Sequence, residues 1–332
     1  SEIVVWGTGL RAWDYEIEPE YRDNYDEIFN MWNGWSLLHD GTSRGWSAWP
    51  GAYPPGVVEM DHYVWWGTPL AVSTPYFENL PLMHLLAGVA CHLGGASDYR
   101  DCHVADARIV SILLSALAIW LIILIARRLA PSGPGPWLAG LLYASIPSIV
   151  LQTREVKEEL VVVPLALGTL LFFLRWRDDG RNERDLMIAS TLAGIALMAK
   201  LPAMFLIPGL VRLVVSSRDH AAARRAAAVS IGLGAVTLGL YVSMQGLAPF
   251  LAASSAQVTN RGLHFLVFPH FFDLLFINGL PFGRGWAIFL SVAGLGTLYT
   301  WPPERRATIA IPLVLYLVAA GVGTANQVFG WY

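Results

Sequence analysis

The chain has 332 residues, of which 55% are hydrophobic and only 14% are charged, and its mean hydropathy is +0.48. Ordinary soluble domains are about 45–50% apolar and about 25% charged, so this composition excludes a disordered chain and argues against a water-soluble globule. The net charge of −3 gives no indication of a nucleic-acid partner. Because only helices and closed barrels satisfy every backbone polar group in lipid, the long apolar runs predict an all-α, multi-pass membrane protein.

Residues 1–106 carry 15 of the 25 acidic residues and are predicted to form one large loop on the outer side of the membrane, with juxtamembrane helices. The sequence begins without Met, without a basic region and without the apolar core of a signal peptide. We therefore expect a transmembrane helix that precedes residue 1 to be missing from the sequence or processed away. The stretches GWSAWPGAYPP and HYVWWGTP are rich in aromatic residues, as expected at the lipid headgroup level.

The first candidate site lies in the stretch YRDNYDEIFNMWNGWSLLHDG, which predicts an amphipathic helix capped by Asn24 or Asp26. A carboxylate at the start of this helix, from Asp26 or Glu27, would lie close to the bilayer and beside a hydrophobic substrate. The alternative is that these acids only complement the helix dipole, which is worth about 0.3–1 kcal/mol.

Two further features of the outer loop each allow two interpretations. Glu59, Asp61 and His62 offer oxygen and nitrogen ligands for a divalent metal, or they are ordinary polar surface. Cys91 and Cys102 form a disulfide, or Cys91 packs as a small apolar residue while Cys102 is an unpaired thiol. Their separation in sequence does not decide between these alternatives, because a disulfide depends on three-dimensional geometry.

Residues 80–95 are apolar but too few for a membrane-spanning helix, which needs about 20 residues. The segment begins with Pro81 and carries His84 and His92. Counting it as a span would place an acidic segment on the wrong side of the membrane. We therefore predict a juxtamembrane helix that lies at the outer interface.

Residues 107–323 are predicted to form a transmembrane bundle of about eight spans, followed by an outward stub at 324–332. Clusters of arginine separate alternate spans, and the positive-inside rule places these clusters in the cytoplasm. The predicted spans are 107–126, 136–153, 159–174, 186–200, 201–215, 226–247, 285–301 and 307–323. The clusters are Arg127/Arg128, Arg175/Arg177/Arg181/Arg184, Arg212/Arg218/Arg224/Arg225 and Arg305/Arg306.

Charged residues at outward ends of the spans form the second candidate site. The run from Arg154 to Glu159 has five charges in six residues, and Arg is suited to binding a phosphate through two hydrogen bonds. A solvated connection with local ion pairs is the alternative. Glu159 begins an apolar run and Lys200 interrupts one, so each should have a partner or a function. Lys200 could also simply extend to the outer interface.

In this order, these segments resemble the GT-C glycosyltransferases, in particular the prokaryotic branch related to protein O-mannosyltransferases and to the lipid A aminoarabinose transferase. The resemblance covers about residues 15–215. It rests on the acidic pair Asp26-Glu27 and on four longer stretches. These are NLPLMHLLAGVACHLGG, DARIVSILLSALAIWLIILIARRL with Arg108 near its start, LLYASIPSIVLQTREVKEELVVVPLALGTLLFFL, and GIALMAKLPAMFLIP. Leu80-Pro81 stands where the family has two prolines.

The resemblance implies inverting transfer of a sugar from a polyprenyl-phosphate donor to a lipid, glycan or protein acceptor. Asp26 would act as the base with Glu27 in support, and Arg154 and Lys200 would hold the leaving phosphate. Glu158, Glu159 and Arg108 would have supporting roles. The expected location is the bacterial cytoplasmic membrane, with the active face outward and with membrane lipids and other membrane subunits as further partners. No cofactor is implied.

Two other classes of function remain open at this stage. An inactive GT-C-like scaffold subunit of a larger membrane complex would keep the same spans. A transporter would need paired broken helices or an inverted repeat, and the sequence contains no recognisable repeat of this kind.

Overall fold

The fold was obtained as a computed structural model, which describes residues 2–17, 25–47, 50–65, 68–261 and seven isolated positions at 292, 294, 296, 299, 306, 310 and 311. In these ranges the chain is mainly helical and has one small sheet. The predicted class, a mainly helical protein with helices long and apolar enough to cross a membrane, is confirmed for these residues. The spans predicted at 285–301 and 307–323 and the stub at 324–332 fall outside the continuous ranges.

Eleven α-helices occur in the described ranges. They are α1 (Glu2–Ala12), α2 (Tyr25–His39), α3 (Pro81–Leu93), α4 (Val104–Leu129), α5 (Gly135–Ser145), α6 (Pro147–Gln152), α7 (Glu159–Asp178), α8 (Glu183–Ala196), α9 (Leu206–Ser216), α10 (His220–Gln245) and α11 (Leu247–Arg261). Of these, α4, α7 and α10 are long and apolar enough to cross a membrane, judged by length and composition. The total of eight spans stays a prediction.

The main core of the bundle lies between α4, α7, α8, α9 and α10. Its most buried members are large apolar side chains that interdigitate between these helices, among them Phe173, Leu174, Trp176, Leu186 and Val214. Both α4 and α10 also expose large apolar side chains, and α10 has only 17% of its most apolar window buried. Exposing these apolar side chains to water would cost free energy, so they form a surface suited to contact with lipid.

Three arginine clusters of the sequence meet at one end of this bundle. Arg128 of the first cluster pairs with Asp179 at 2.7 Å, Arg181 of the second pairs with Asp219 at 3.3 Å, and Arg225 of the third pairs with Glu183 at 2.8 Å. These pairs join the ends of α4, α7, α8 and α10. The positive-inside prediction required a common end for these clusters, and their pairing supports it.

One predicted span is not a single helix. Residues 136–153 form α5 and α6, and the break lies at Ile146, which has extended backbone angles. Pro147 causes the break, because a proline disfavours helical angles in the residue before it. The chain also leaves α-helix between α8 and α9, where residues 201–205 form a 3-10 helix, so the boundary predicted between the spans 186–200 and 201–215 is a real interruption.

The segment predicted to form the outer loop contains a three-stranded antiparallel sheet that the sequence did not predict. The strands are β1 (Gly45–Trp46), β2 (Val58–Trp65) and β3 (Thr68–Ser73), in the order β1-β3-β2. The predicted helix at 80–95 is observed as α3, which is too short to span and packs against α2.

Two glycines allow α2 and α3 to approach at backbone distance. A Cβ atom at Gly34 would lie 1.8 Å from the His84 carbonyl oxygen, and one at Gly88 would lie 2.3 Å from the Gly34 carbonyl carbon. Real Cβ atoms cannot occupy such positions, so any larger residue must push the two helices apart. This contact fixes the position of α3 relative to the start of α2.

Gly34→Ala is therefore expected to lower the free energy of unfolding by about 1–3 kcal/mol, the usual cost of overpacking, and it should show as a lower thermal midpoint in detergent. Gly239→Ala in α10 is the control, because nothing lies within 4 Å of its added Cβ and Ala favours the helix. Equal midpoints for the two variants would contradict the close contact.

Candidate functional site

A buried ion pair between Glu27 and Arg108 lies next to the candidate site and holds its segments together. Arg108 Nε donates to Glu27 Oε1 at 2.8 Å and Arg108 Nη2 donates to Glu27 Oε2 at 2.6 Å, and both side chains are fully buried. Arg108 Nη1 also donates to the Tyr15 carbonyl oxygen at 2.8 Å. The pair thus joins α2 to α4 and to the segment after α1. Burial raises the pKa of Glu27, while Arg108 and the Val156 N–H oppose that rise.

The same face of α2 also holds the segment that precedes α7. The Val156 N–H donates to Glu27 Oε1 at 2.9 Å, and Asn30 Nδ2 donates to the Val156 carbonyl oxygen at 3.0 Å. Residues 153–158 are thereby fastened across the start of α2. This explains how a charged segment far away in sequence comes to lie beside Asp26.

Asp26 lies in the first turn of α2 and is half-buried within a cluster of charges. Burial and the Glu158 carboxylate raise its pKa to about 7, Glu159 adds to the rise, and Lys157 and Lys200 act against it. A carboxyl group with this pKa can accept a proton near neutral pH and release it again. The role of base, which the resemblance implies for Asp26, stays a prediction.

Lys200 and Glu159 form an ion pair beside this cluster, and both are only partly buried. Glu159 begins α7, whereas Lys200 precedes the 3-10 helix at 201–205. The turn that carries Lys200 is also tied to α3, because the Leu82 N–H donates to the Met198 carbonyl oxygen at 2.9 Å. The structure therefore brings the predicted residues Asp26, Glu159 and Lys200 into one electrostatic group.

Glu158 belongs to the same group and faces a residue that the sequence did not single out as functional. His84 Nε2 lies 3.8 Å from Glu158 Oε1, and the side chains are 0% and 3% exposed. Burial acts to raise the pKa of Glu158, but the facing His84 and the positive charge of Lys200 outweigh it, so the net pKa lies below the ordinary value. The presence of His84 on an apolar helix was the only sequence signal for this contact.

The Arg154 side chain points toward α1, whereas Lys200, the other predicted phosphate ligand, lies beside Glu159. It is 6% exposed, and its Nη2 donates to the Leu10 carbonyl oxygen of α1 at 2.6 Å. Its charge also acts on Arg11, which donates to Thr153 and to carbonyl oxygens at the end of α5. The strongest charges around Asp26 come from the stretch 157–159 and from Lys200, not from Arg154.

A second polar cluster joins residues 41–78 to α10 through hydrogen bonds. The Gln245 side chain accepts from the Ser43 N–H at 2.8 Å and donates to the Gly41 carbonyl oxygen at 2.9 Å. Tyr241 donates to the Tyr76 carbonyl oxygen at 3.2 Å, and buried Glu78 accepts from the Tyr53 hydroxyl at 3.4 Å. Sequence reasoning missed this cluster, because its members are spread over 200 residues.

The structure bears on the two questions that the sequence left open, the possible disulfide and the possible metal site. Cys91 and Cys102 are free thiols that lie in contact, and the Cys91 thiol together with burial raises the pKa of Cys102. Among the described side chains, no group of three His, Cys, Asp or Glu residues is placed to hold a metal. The side chains of Asp61 and His62 lie outside that description.

Comparison with known proteins gives one family match. Residues 101–245 match the family model described as dolichyl-phosphate-mannose-protein mannosyltransferase. The resemblance to protein O-mannosyltransferases that the sequence indicated is confirmed over this segment. This mannosyltransferase-like segment contains the whole charged stretch 154–159, Lys200 and the described bundle from α4 to α10. A search of curated proteins gave no match.

Two solved structures of the Archaeoglobus fulgidus oligosaccharyltransferase are similar to the chain at 13% identity and a TM-score of 0.49. One is the apo form, with 94% of this chain covered, and the other is AglB in complex with an inhibitory peptide and a dolichol-phosphate, with 96% covered. The chain spans 38% of the length of each of these structures.

Proposed function

We propose that the protein is a membrane glycosyltransferase that transfers a sugar of the mannose type from a polyprenyl-phosphate donor to an acceptor, with inversion at the anomeric carbon. The observation that carries the proposal is Asp26 itself. It lies at the start of α2 in one charged group with Glu158, Glu159 and Lys200, where burial and the Glu158 carboxylate raise its pKa to about 7. The family match over residues 101–245 supports the reaction class.

The proposed chemistry needs one base and one cation. Asp26 takes the proton from an acceptor hydroxyl or amine while that group attacks the anomeric carbon. The bond between the sugar and the phosphate oxygen breaks, and polyprenyl phosphate leaves with the electron pair. A phosphate leaves readily without full protonation, so the second carboxylic acid of a glycosidase is unnecessary. Lys200 would stabilise the charge that develops on the leaving phosphate.

Lys200 already has Glu159 as a partner, which suggests how the site holds its cation before the donor arrives. An ammonium group at an apolar boundary is costly without a counter-ion. Glu159 would supply that counter-ion in the empty site and yield part of the contact to the phosphate when the donor binds. Arg154 stays the second predicted phosphate contact.

Lys200→Gln is expected to weaken binding of polyprenyl-phosphate mannose by roughly 10- to 100-fold, the equivalent of one hydrogen bond to a charged group. Binding can be measured with labelled donor and the full chain in nanodiscs. Arg154→Ala is measured alongside. A loss in both variants supports two phosphate contacts, and a loss in the Lys200 variant alone assigns the phosphate to Lys200. Unchanged donor binding in Lys200→Gln would remove Lys200 from the site.

The proposed function is tested directly by release of polyprenyl phosphate. The full chain in proteoliposomes is incubated with polyprenyl-phosphate mannose and membrane extracts that contain candidate lipid, glycan and protein acceptors. Transfer of labelled mannose to an acceptor, with loss of the donor, supports the glycosyltransferase. Donor that binds but is never consumed would favour the inactive scaffold.

A further inference from the structure

His84 and Glu158 form a buried contact whose hydrogen-bonding capacity is unused. The facing atoms are Nε2 and Oε1, 3.8 Å apart. Apart from each other, neither ring nitrogen of His84 nor Oε1 of Glu158 has a hydrogen-bond partner among the described residues. Buried polar atoms are normally satisfied, and each exception calls for an explanation.

A structural role alone does not explain this pair. An apolar side chain at position 84 would fill the same space in α3 without burying two polar nitrogen atoms, and the carboxylate of Glu158 is costly to bury unless it is paired. The His84 side chain is fully buried, its ring lies 6.1 Å from the Tyr76 ring, and the close approach of α3 to Gly34 of α2 fixes its backbone. The imidazole is thus held facing the carboxylate at a distance that a small shift converts into a hydrogen bond.

The negative charge of Glu158 acts directly on the protonation of Asp26. After burial, Glu158 is the largest influence on the Asp26 carboxyl group, ahead of Lys157, Glu159 and Lys200. A negative charge at Glu158 favours the protonated form of Asp26, in which Asp26 cannot act as a base. Whatever neutralises Glu158 therefore favours the ionised, active form.

We propose that His84 is a positioning residue that carries a proton opposite Glu158, neutralises this carboxylate and so keeps Asp26 available as a base. An imidazole suits this task, because it can gain or lose a proton near neutral pH. The catalytic part of the inference rests on the proposed function, whereas the electrostatic link between His84, Glu158 and Asp26 can be measured without substrate.

The charged and titratable groups that face this link come from four parts of the chain. Residues 157–159 supply Lys157, Glu158 and Glu159, and the turn before the 3-10 helix supplies Lys200. On the other side, the Tyr76 ring lies 6.1 Å from the His84 ring, and the pKa of Tyr76 is raised by burial and by nearby Glu78 and Tyr53. Tyr76 is therefore uncharged in the working range.

The test measures the protonation of Asp26 by carbodiimide labelling. Dicyclohexylcarbodiimide adds to a protonated carboxyl group in an apolar environment, and mass spectrometry of the full chain in nanodiscs locates the adduct. The pH at half-maximal labelling of Asp26 is compared between variants. His84→Gln removes the positive charge and should raise this midpoint by about one pH unit, whereas Glu158→Gln removes the negative charge and should lower it by about one unit.

The double variant with both changes isolates the pair. If His84 acts through Glu158, the effect of His84→Gln must largely disappear when position 158 is already Gln. His92→Gln is the matched control, because His92 lies on the same helix but is exposed and stacks on Trp35. It should leave the midpoint unchanged. His84→Asn is a second variant in case His84→Gln does not fold.

Three outcomes would overturn the inference. The His84 variants could leave the Asp26 midpoint in place, shift it downward, or shift it equally in the Glu158→Gln background. None of these depends on sugar transfer, so they are distinct from a failure of the proposed function. In an active preparation, the acidic limb of the rate against pH should move with the labelling midpoint.

Discussion

Asp26→Asn is expected to lower the rate of sugar transfer by about 10²- to 10⁴-fold, the usual contribution of a positioned general base. The amide has nearly the same shape as the carboxylic acid but cannot accept the proton of the acceptor. Because Asp26 is half-buried at the start of α2, the change should not unfold the protein. The measurement is release of polyprenyl phosphate by the variant in proteoliposomes, at equal amounts of inserted protein.

The control for this prediction is Asp40→Asn. Asp40 follows the end of α2, is exposed, and pairs with His39 at 2.8 Å on the surface. The Asp40 variant should retain wild-type transfer. Near-full activity in Asp26→Asn would remove Asp26 from the role of base.

The wild-type rate should also depend on pH in a defined direction. Burial and Glu158 raise the pKa of Asp26 to about 7, and only the ionised form accepts a proton. Transfer should therefore rise as the pH increases through about 7 and fall below it. The same measurement on Asp26→Asn should show no such limb.

Arg108→Ala is expected to give the largest loss of stability, about 3–5 kcal/mol, because it leaves the Glu27 carboxylate buried without its partner. Arg108 binds both oxygens of Glu27 and also holds the Tyr15 carbonyl oxygen, so three segments lose a common contact. The measurement is the thermal unfolding midpoint of the full chain in detergent.

Arg225→Ala serves as the comparison for this change. Arg225 binds Glu183 at 2.8 Å in a similar way, but both side chains are 50% exposed. Such surface pairs are worth about 0–1 kcal/mol, since water solvates the remaining charge. A similar loss in both variants would show that the burial of Glu27 is not what makes the Arg108 pair important.

Much of the fold follows from hydropathy and charge alone. The spans at α4, α7 and α10 were predicted from long apolar runs, and their arginine clusters meet at one end through pairs such as Arg128 with Asp179. The separation of an acidic outer segment from a basic bundle end is likewise a property of the sequence, because the bilayer sorts apolar runs and charges by position. The helix at Asp26 and the short helix α3 were also predicted within a few residues.

Local patterns were less informative where a break depends on a few residues. The span predicted at 136–153 is two helices because of Pro147, and the small sheet of the outer loop was missed altogether. A short sheet in an aromatic loop has no strong period, and its pairing depends on contacts between distant segments.

The candidate site shows the same division. The sequence by itself determined which residues are chemically unusual: an acidic pair at a helix start, and Glu159 and Lys200 as rare charges in apolar runs. Only the tertiary structure decided their neighbours. It joined Glu27 to Arg108, turned Arg154 toward α1, and placed His84 opposite Glu158. Charge interactions depend on distance and burial, and for residues more than 70 positions apart these are set by how the helices pack.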